Sequence, residues 1–303
     1  MSGVIAVIGS GGQLARALRV RLARVGRGAL FFGRRACDLS QDRALLENFA
    51  ANMPQASGII VAAAYTAVDE AESDADTARQ VNTVAPEVFA IEAARRGIPL
   101  VHVSTDYVFG GNGSTPLKPD APTNPINVYG RTKRDGENAI LATGVRAAIL
   151  RTSWVFDGTG KNFMTTIIRL GQTRNSLAVI DDQIGRPTYA GHLAGACLAA
   201  LKGLQTQNDF DSRIYHFSGS GDAVSWADFA HVILEVASGD LPQPVAVTGI
   251  PGSEYKTLAK RPNWSVMDIN LFETTFSCRA PHWRDGLAAA YAEWQNAQKK
   301  AQT

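Results

Sequence analysis

Residues 4–15 read VIAVIGSGGQLA, a short apolar run that passes directly into a glycine-rich turn. The run predicts a buried strand, and the residues after the turn predict the start of a helix. Gly9 suits the tight turn, Gly12 lets the backbone approach a pyrophosphate, and Ala15 allows close packing of the helix on the strand. Free N–H groups at a helix start attract phosphate. The predicted dinucleotide contacts are Gly9, Gly11, Gly12, Gln13 and Leu14.

Apolar runs and amphipathic segments alternate along the first half of the chain. The predicted strands are Val4–Ile8, Ala29–Phe32, Gly58–Val61, Pro99–Val103 and Ala147–Arg151. The predicted helices between them are Gly12–Arg24, Arg43–Asn52, Asp74–Arg96 and Val128–Leu141. This alternation is typical of an α/β fold with a doubly wound, Rossmann-like parallel sheet, whose ligands bind beyond the carboxyl ends of the strands.

The second half of the chain is less regular. Residues 153–161 and 179–189 are rich in Gly, Asp and Pro and predict loops, and residues 243–266 predict an irregular segment. The predicted regular elements are helices at Ala190–Leu204, Trp226–Ala237 and Trp283–Lys299, with a strand at Ile214–Phe217. We predict that residues 1–152 form the dinucleotide-binding domain. Residues 153–303 are then mainly a smaller substrate-binding lobe, interleaved with late elements of the first domain.

Composition argues against several classes of function. The 303 residues include 30 basic and 28 acidic ones, for a net charge of +2 without the basic stripe of a nucleic-acid-binding protein. The longest apolar runs fall far short of the roughly 20 residues that a membrane span needs. Cys37, Cys197 and Cys278 lie far apart, so we expect neither a disulfide framework nor a metal site. The expectation is a cytoplasmic protein that binds neither nucleic acid nor membranes.

The residues after the second strand bear on the choice of cofactor. A carboxylate at this point would favour NAD by accepting hydrogen bonds from the ribose 2′-hydroxyl, but the sequence is Gly33-Arg34-Arg35. Arginine side chains suit a 2′-phosphate, so we predict that Arg34 and Arg35 favour NADPH, with NADH as the alternative. Asp38 and Leu39 are predicted to line the adenine pocket.

A phenol and an ammonium stand four residues apart in Tyr129-Gly130-Arg131-Thr132-Lys133. On a helix both project from one face, and a neighbouring cation is expected to lower the pKa of the tyrosine from its usual value of about 10. Tyr129 is then predicted to protonate the alkoxide that forms when hydride reaches a carbonyl carbon, and Lys133 to hold the nicotinamide ribose. Thr105, at the end of the fourth strand, is predicted to donate a hydrogen bond to the substrate oxygen.

Together these residues resemble the extended short-chain dehydrogenase/reductase family. The resemblance is carried by the turn at Gly9, Gly12 and Ala15 and by the Thr105, Tyr129 and Lys133 triad. Within that family the chain is similar to the dTDP-4-dehydrorhamnose reductases. The strings that carry this closer likeness are residues 62–72 (AAAYTAVDEAE), 104–109 (STDYVF), 127–130 (NVYG), 151–156 (RTSWVF), 162–163 (NF), 182–188 (DQIGRPT) and 261–262 (RP), with Ser265 and Asp268.

The resemblance implies a function and further site residues. It implies reduction of the 4-keto group of a dTDP-linked 6-deoxysugar, dTDP-4-dehydrorhamnose, to dTDP-L-rhamnose for cell-surface polysaccharide, with NADPH or NADH as reductant. Some relatives use magnesium, but their acidic patch is not recognisable in this sequence, so we expect no metal. It places Ala62, Ala63 and Ala64 at the cofactor. The substrate contacts it implies are Val68, Asp69, Thr105, Asp106, Tyr107 and Trp154. It also allows a homodimer.

Other functions share this fold. A sugar-nucleotide 4,6-dehydratase needs a further carboxylate after Asp106, where this chain has Tyr107, so a reductase is favoured. Another sugar-nucleotide reductase and an NADP-binding regulatory or sensor protein are the alternatives that stay open. The family often has Asn where this chain has Val61, a difference expected to alter the pocket on the nicotinamide side.

Overall fold

The computed structural model describes residues 3–206 and 212–301. The strands are β1 (Ile5–Ile8), β2 (Ala29–Phe32), β3 (Gly58–Val61), β4 (Leu100–Thr105), β5 (Ala147–Thr152), β6 (Val155–Phe156), β7 (Ser176–Ile180), β8 (Ile184–Gly185), β9 (Thr188–Tyr189), β10 (Arg213–His216), β11 (Val224–Ser225) and β12 (Ala246–Ile250). The α-helices are α1 (Gln13–Arg24), α2 (Arg43–Asn52), α3 (Val68–Ala71), α4 (Ala75–Arg79), α5 (Ala85–Arg96), α6 (Val128–Ala142), α7 (Phe163–Gly171), α8 (Ala190–Thr206), α9 (Trp226–Val236), α10 (Asn270–Phe276) and α11 (Trp283–Ala301).

A six-stranded parallel sheet with the order β10-β5-β4-β3-β1-β2 forms the centre of the molecule. Ile5 of β1 pairs with Ala29 on one side and with Gly58 on the other, so the three strands end at the same edge. The strand order reverses between β1 and β3, as in a doubly wound sheet. The predicted fold class is confirmed.

Apolar side chains cover both faces of this sheet. One cluster joins Ile5 and Val7 to Leu18 of α1 and to Leu193 and Leu201 of α8. The other joins Ala6 and Ile8 to side chains of α2 and α5, among them Leu46 and Phe89. Burial on both faces explains why the strands read as continuous apolar runs. Because α8 and β10 come from the second half of the chain, that half supplies part of the layer beside the sheet and one of its edges.

The predicted elements of the first half agree with the structure, with one interruption. Helices and strands begin or end within one or two residues of the predicted bounds, except that the helix predicted at Asp74–Arg96 is divided into α4, a π-helical turn at Gln80–Val84 and α5. The turn carries Asn82, which is fully buried and whose side chain bonds the backbone of Tyr65. A buried side chain that ties down a neighbouring segment accounts for the local change in winding.

The second half contains elements that the sequence did not predict. Residues 243–266 were expected to be irregular, yet β12 lies there and pairs in parallel with β7. Helix α7 follows the loop at 153–161 and begins with a capping box, in which the Asn162 side chain accepts from Thr165 N and Thr165 bonds back. Helix α10 was also missed. Helix α7 and the β7–β12 pair pack with α9 and α11 around Phe156, Phe229 and Trp283, which belong to a third apolar core. Helix α10 instead packs through Phe272 in the cluster that contains α1 and α8.

The structure also describes the three cysteines and the apolar character of the helices. Cys37 and Cys197 are buried, Cys278 is half-buried, and all three are free thiols. No helix in residues 3–206 and 212–301 combines the length and the apolar character needed to cross a bilayer. The division at residue 152 stays a prediction.

Candidate active site

A cavity of about 700 Å³ lies at the carboxyl edge of the central sheet. Side chains from both halves of the chain line it. The predicted residues that line it are Gly9, Gly11, Gly12, Gln13, Leu14, Arg34, Asp38, Leu39, Ala62, Ala63, Ala64, Val68, Thr105, Asp106, Tyr107, Tyr129, Lys133 and Trp154. Arg35 and Asp69 are not among the lining residues.

The glycine-rich turn between β1 and α1 forms one end of the cavity. Gly9 has φ +117°, and a Cβ there would lie 3.1 Å from Ala63 N, so both the turn and its packing favour glycine. Helix α1 begins after Gly12, which offers no side-chain cap to its first N–H groups. A Cβ added at Gly11 or Gly12 would meet no protein atom within 4 Å. Uncapped donors that face open space at the positive end of a helix fit a pyrophosphate.

The residues after β2 form the rim of the same end. The side chain of Arg34 is 87% exposed, and its Nε lies 4.0 Å from Asp38 Oδ1. Asp38 accepts hydrogen bonds from Ser40 N at 3.0 Å and Ser40 Oγ at 2.8 Å, and these bonds lower the pKa of its carboxyl. A cation and a carboxylate therefore both stand near the position expected for the adenosine ribose. The preference for NADPH stays a prediction.

Helix α6 carries Tyr129 and Lys133 into the middle of the cavity. The Asn127 side chain caps the helix by accepting from Gly130 N at 2.7 Å, and Glu72 accepts from Val128 N at 2.7 Å. A Cβ at Gly130 would lie 2.1 Å from Tyr107 O, so only glycine lets the first turn of α6 approach the end of β4 this closely.

The predicted triad and its neighbours meet at that junction. The rings of Tyr129 and Tyr107 pack edge to face, with centroids 5.6 Å apart. Thr105 Oγ accepts from Tyr107 N at 3.2 Å, and its hydroxyl lies 3.1 Å from Asp106 Oδ1. Thr105 and Asp106 are almost fully buried, and Ser265 also hydrogen-bonds the Asp106 carboxyl. Burial raises the pKa of Asp106 to about 6, and the hydrogen bonds of its carboxyl oppose this shift.

The pKa of Tyr129 is shifted in the direction opposite to the one expected from the sequence. Burial raises the pKa of Tyr129 to about 12, the charge of Asp106 acts in the same direction, and a hydrogen bond with Thr105 opposes them. Lys133 Nζ is directed at β4, where it donates to Val103 O at 2.7 Å and lies 3.0 Å from His102 Nε2. The expectation that Lys133 lowers the pKa of Tyr129 is therefore wrong in this structure, because burial dominates.

A stacked pair of indoles forms the opposite end of the cavity. Trp154 and Trp226 have ring centroids 3.5 Å apart and planes within 8° of parallel. Trp154 has φ +49°, a left-handed conformation that costs energy for a bulky residue and that often marks a functional site. Trp226 is the first residue of α9 and was missed from sequence, because its place in a predicted amphipathic helix looked like an ordinary core position.

Other lining residues were also missed, among them one threonine and two cationic side chains. Thr66, Lys161 and Arg16 face the cavity, and Arg16 donates to Asp157 Oδ2 at 2.7 Å, which ties α1 to the loop before α7. Arg16 comes directly after the glycine-rich segment at residues 4–15. Its position in the first turn of α1 could therefore have indicated that it lies near the cavity. Lys161 lies in a predicted loop, and no local pattern distinguishes it from a solvated lysine.

Two residues singled out in the sequence lie elsewhere. Asp69 pairs with Arg261 through contacts of 2.7 Å and 3.3 Å, and it also accepts from Ala259 N at 3.0 Å. The hydrogen bond from the Arg261 guanidinium lowers the pKa of Asp69. The predicted contact of Asp69 with the sugar stays a prediction. Val61 is almost fully buried in the core between the sheet and α2 and α5, so its replacement of Asn does not alter the lining of the cavity.

The cavity thus joins a phosphate-binding turn, a Tyr/Lys/Thr group and an aromatic wall. Residues 3–296 match the family described as the RmlD substrate binding domain. The chain belongs to this family. It is 38% identical over 282 residues to a dTDP-4-dehydrorhamnose reductase from Sinorhizobium fredii, an alignment that covers 93% of this chain and 94% of that protein.

Solved structures of this family agree with the observed fold. A dTDP-4-dehydrorhamnose reductase from Clostridium acetobutylicum has a TM-score of 0.88 and 31% identity, over 96% of this chain and 99% of that one. The reductase from Bacillus anthracis, in complex with NADP, has a TM-score of 0.86 and 30% identity, over 97% of this chain and 100% of that one. The resemblance stated from the sequence is confirmed.

Proposed function

We propose that this chain is an NADPH-dependent reductase of the 4-keto group of dTDP-4-dehydrorhamnose, with dTDP-L-rhamnose as product. The observation that carries the proposal is that the phosphate-binding turn and the side chains of Thr105, Tyr129 and Lys133 line one cavity. The relatives named for this reaction support it, since they match the chain over nearly its full length.

The first half of the chain fits the cofactor. The uncapped start of α1 and the open space at Gly12 suit the pyrophosphate, and Arg34 and Asp38 stand at the ribose end. The side chain of Lys133 lines the cavity beside Tyr129, and we propose that it holds the nicotinamide ribose. When bound, NADPH supplies the hydride.

Tyr129 is the proposed proton donor. Because burial raises its pKa to about 12, the phenol holds its proton at neutral pH, and an alkoxide formed beside it provides the acceptor. The Thr105 hydroxyl lies next to the phenol and would hydrogen-bond the same substrate oxygen, which stabilises the charge that develops there. The two side chains therefore orient the carbonyl and return a proton to it.

The remaining lining residues suit a sugar nucleotide. Asp106, Tyr107 and Val68 line the cavity and are the proposed contacts of the sugar. Trp154 and Trp226 offer a flat aromatic surface for the sugar or the base.

The test is consumption of NADPH by the purified chain with dTDP-4-dehydrorhamnose generated in situ. We expect turnover that depends on the sugar nucleotide and a product with the retention time of dTDP-L-rhamnose. NADPH binding without turnover would instead identify a sensor or regulatory protein, and turnover with another keto-sugar nucleotide alone would change the substrate.

We further propose that the chain acts in the cytoplasm in the synthesis of cell-surface polysaccharide. A homodimer stays a prediction.

A further inference from the structure

His102 lies directly behind the lysine of the active site. It belongs to β4, is fully buried and does not line the cavity. Its Nε2 lies 3.0 Å from Lys133 Nζ, and the next residue along the strand accepts a hydrogen bond from the same Nζ through Val103 O at 2.7 Å. Two acceptors on one strand therefore meet the ammonium at the end of the side chain.

The protonation state of His102 follows from its surroundings. Burial and the charge of Lys133 lower the pKa of His102 well below its ordinary value, so the imidazole is neutral. A neutral imidazole accepts at one nitrogen and donates at the other. Because Nε2 faces an ammonium, the proton is assigned to Nδ1, which has no hydrogen-bond partner in the described residues. The Nδ1–H donor of the ring is then unpaired among the described residues, and the lone pair of Nε2 faces Lys133 Nζ.

Other titratable groups near Lys133 lie on its own helix and beyond the end of β4. On its own helix Lys133 has Tyr129 one turn before it and Glu137 one turn after it. The charge of the Glu137 carboxylate raises the pKa of Lys133, and the same carboxylate is bonded to Arg151 of β5 through contacts of 2.9 Å and 2.7 Å. Asp106 lies beyond the end of β4 and hydrogen-bonds Thr105. Direct hydrogen bonds to Nζ come from β4.

We propose that His102 is a positioning residue, whose neutral imidazole accepts a hydrogen bond from Lys133 and keeps this lysine charged and fixed beside the cofactor site. The inference rests on the proposed role of Lys133 toward the nicotinamide ribose. Burial lowers the pKa of Lys133 to about 7, so loss of an acceptor is expected to remove its charge at still lower pH.

The test compares three variants of His102 by NADPH binding as a function of pH. His102→Gln keeps an acceptor at the distance of Nε2, His102→Asn has a polar side chain whose oxygen stops short of Nζ, and His102→Leu has no acceptor. NADPH affinity is measured by fluorescence between about pH 6 and pH 9, a range that spans the pKa of Lys133. Lys133→Met gives the background from the phosphates of NADPH, and thermal unfolding shows that each variant is folded.

We expect the affinity of the unaltered protein to fall above about pH 7, as Lys133 loses its proton. In His102→Leu and His102→Asn the fall moves to lower pH by about 1 unit, and in His102→Gln it stays close to its original position. Coincident profiles for Leu, Asn and Gln would overturn the proposal, as would an unaltered protein whose profile matches that of Lys133→Met. Because binding is the readout, absence of turnover would contradict the proposed function and leave this test intact.

Discussion

The two ends of the active-site cavity differ in how the chain forms them. At the cofactor end, several contacts follow a strand of the central sheet directly, as Gly9 follows β1 and Ala62 follows β3. At the substrate end, Trp154 meets Trp226 across 72 residues of sequence, and Arg261 reaches Asp69 across 192. Local sequence patterns therefore determine the first region, and packing of distant segments determines the second. Substitutions at the two ends are expected to separate cofactor binding from substrate binding.

Removal of the proton donor between the two ends should have the largest effect. Tyr129→Phe keeps the ring that packs on Tyr107 and loses the hydroxyl, so kcat should fall by roughly 10²–10⁴-fold. NADPH affinity should stay nearly unchanged. The measurement is steady-state turnover together with a cofactor-binding titration, and Tyr255→Phe, at an exposed position outside the cavity, is the matched control. Normal turnover in Tyr129→Phe would refute its role.

A side chain at the phosphate-binding turn should impair the cofactor end alone. A Cβ at Gly12 meets no protein atom within 4 Å, so Gly12→Val should fold with an unchanged melting temperature. It should weaken NADPH binding by about 10-fold or more, because the added methyl groups crowd the pyrophosphate. Calorimetric titration measures the affinity. Gly239→Val is the control, since a Cβ there also meets open space. Unchanged affinity in Gly12→Val would show that the phosphates bind elsewhere.

Loss of an indole should impair the substrate end alone. Trp154→Ala removes half of the stacked pair, and we expect KM for the sugar nucleotide to rise by about 10-fold. Trp226→Ala should have a similar effect if the pair acts as one surface, with little change in NADPH affinity for either variant. Kinetics at saturating NADPH measure this difference. A rise confined to the Kd of NADPH would contradict the division between the two ends.

The smallest effect is expected at the rim of the cofactor end. The Arg34 side chain is 87% exposed and 4.0 Å from Asp38, so its interaction with a 2′-phosphate is partly screened by solvent. Arg34→Ala should lower the ratio of kcat/KM for NADPH to that for NADH by about 5-fold, and the ratio should depend on salt. Arg35→Ala should change it less, because Arg35 does not line the cavity. A higher ratio after Arg34→Ala would contradict the predicted NADPH preference.

The difference between the two ends also explains what the sequence could predict. Runs of buried residues and the turn at Gly9 are local features, so the sheet and the cofactor end could be predicted within one or two residues. Asp69 was predicted as a sugar contact, but its partner Arg261 comes from a segment expected to be irregular. The direction in which the pKa of Tyr129 shifts depends on how deeply α6 is buried and on which acceptors bond Lys133. The four-residue spacing of Tyr129 and Lys133 predicts neither of these.

The most direct test of the proposed function follows the hydride itself. NADPH that carries deuterium at the transferable position of the nicotinamide is supplied with dTDP-4-dehydrorhamnose, and the product is examined by mass spectrometry and NMR. If the cofactor end and the substrate end meet as proposed, one deuterium appears at C4 of the sugar for each NADPH consumed, and none appears with Tyr129→Phe on the same time scale. Deuterium at another carbon, or NADPH binding without any labelled product, would contradict the account.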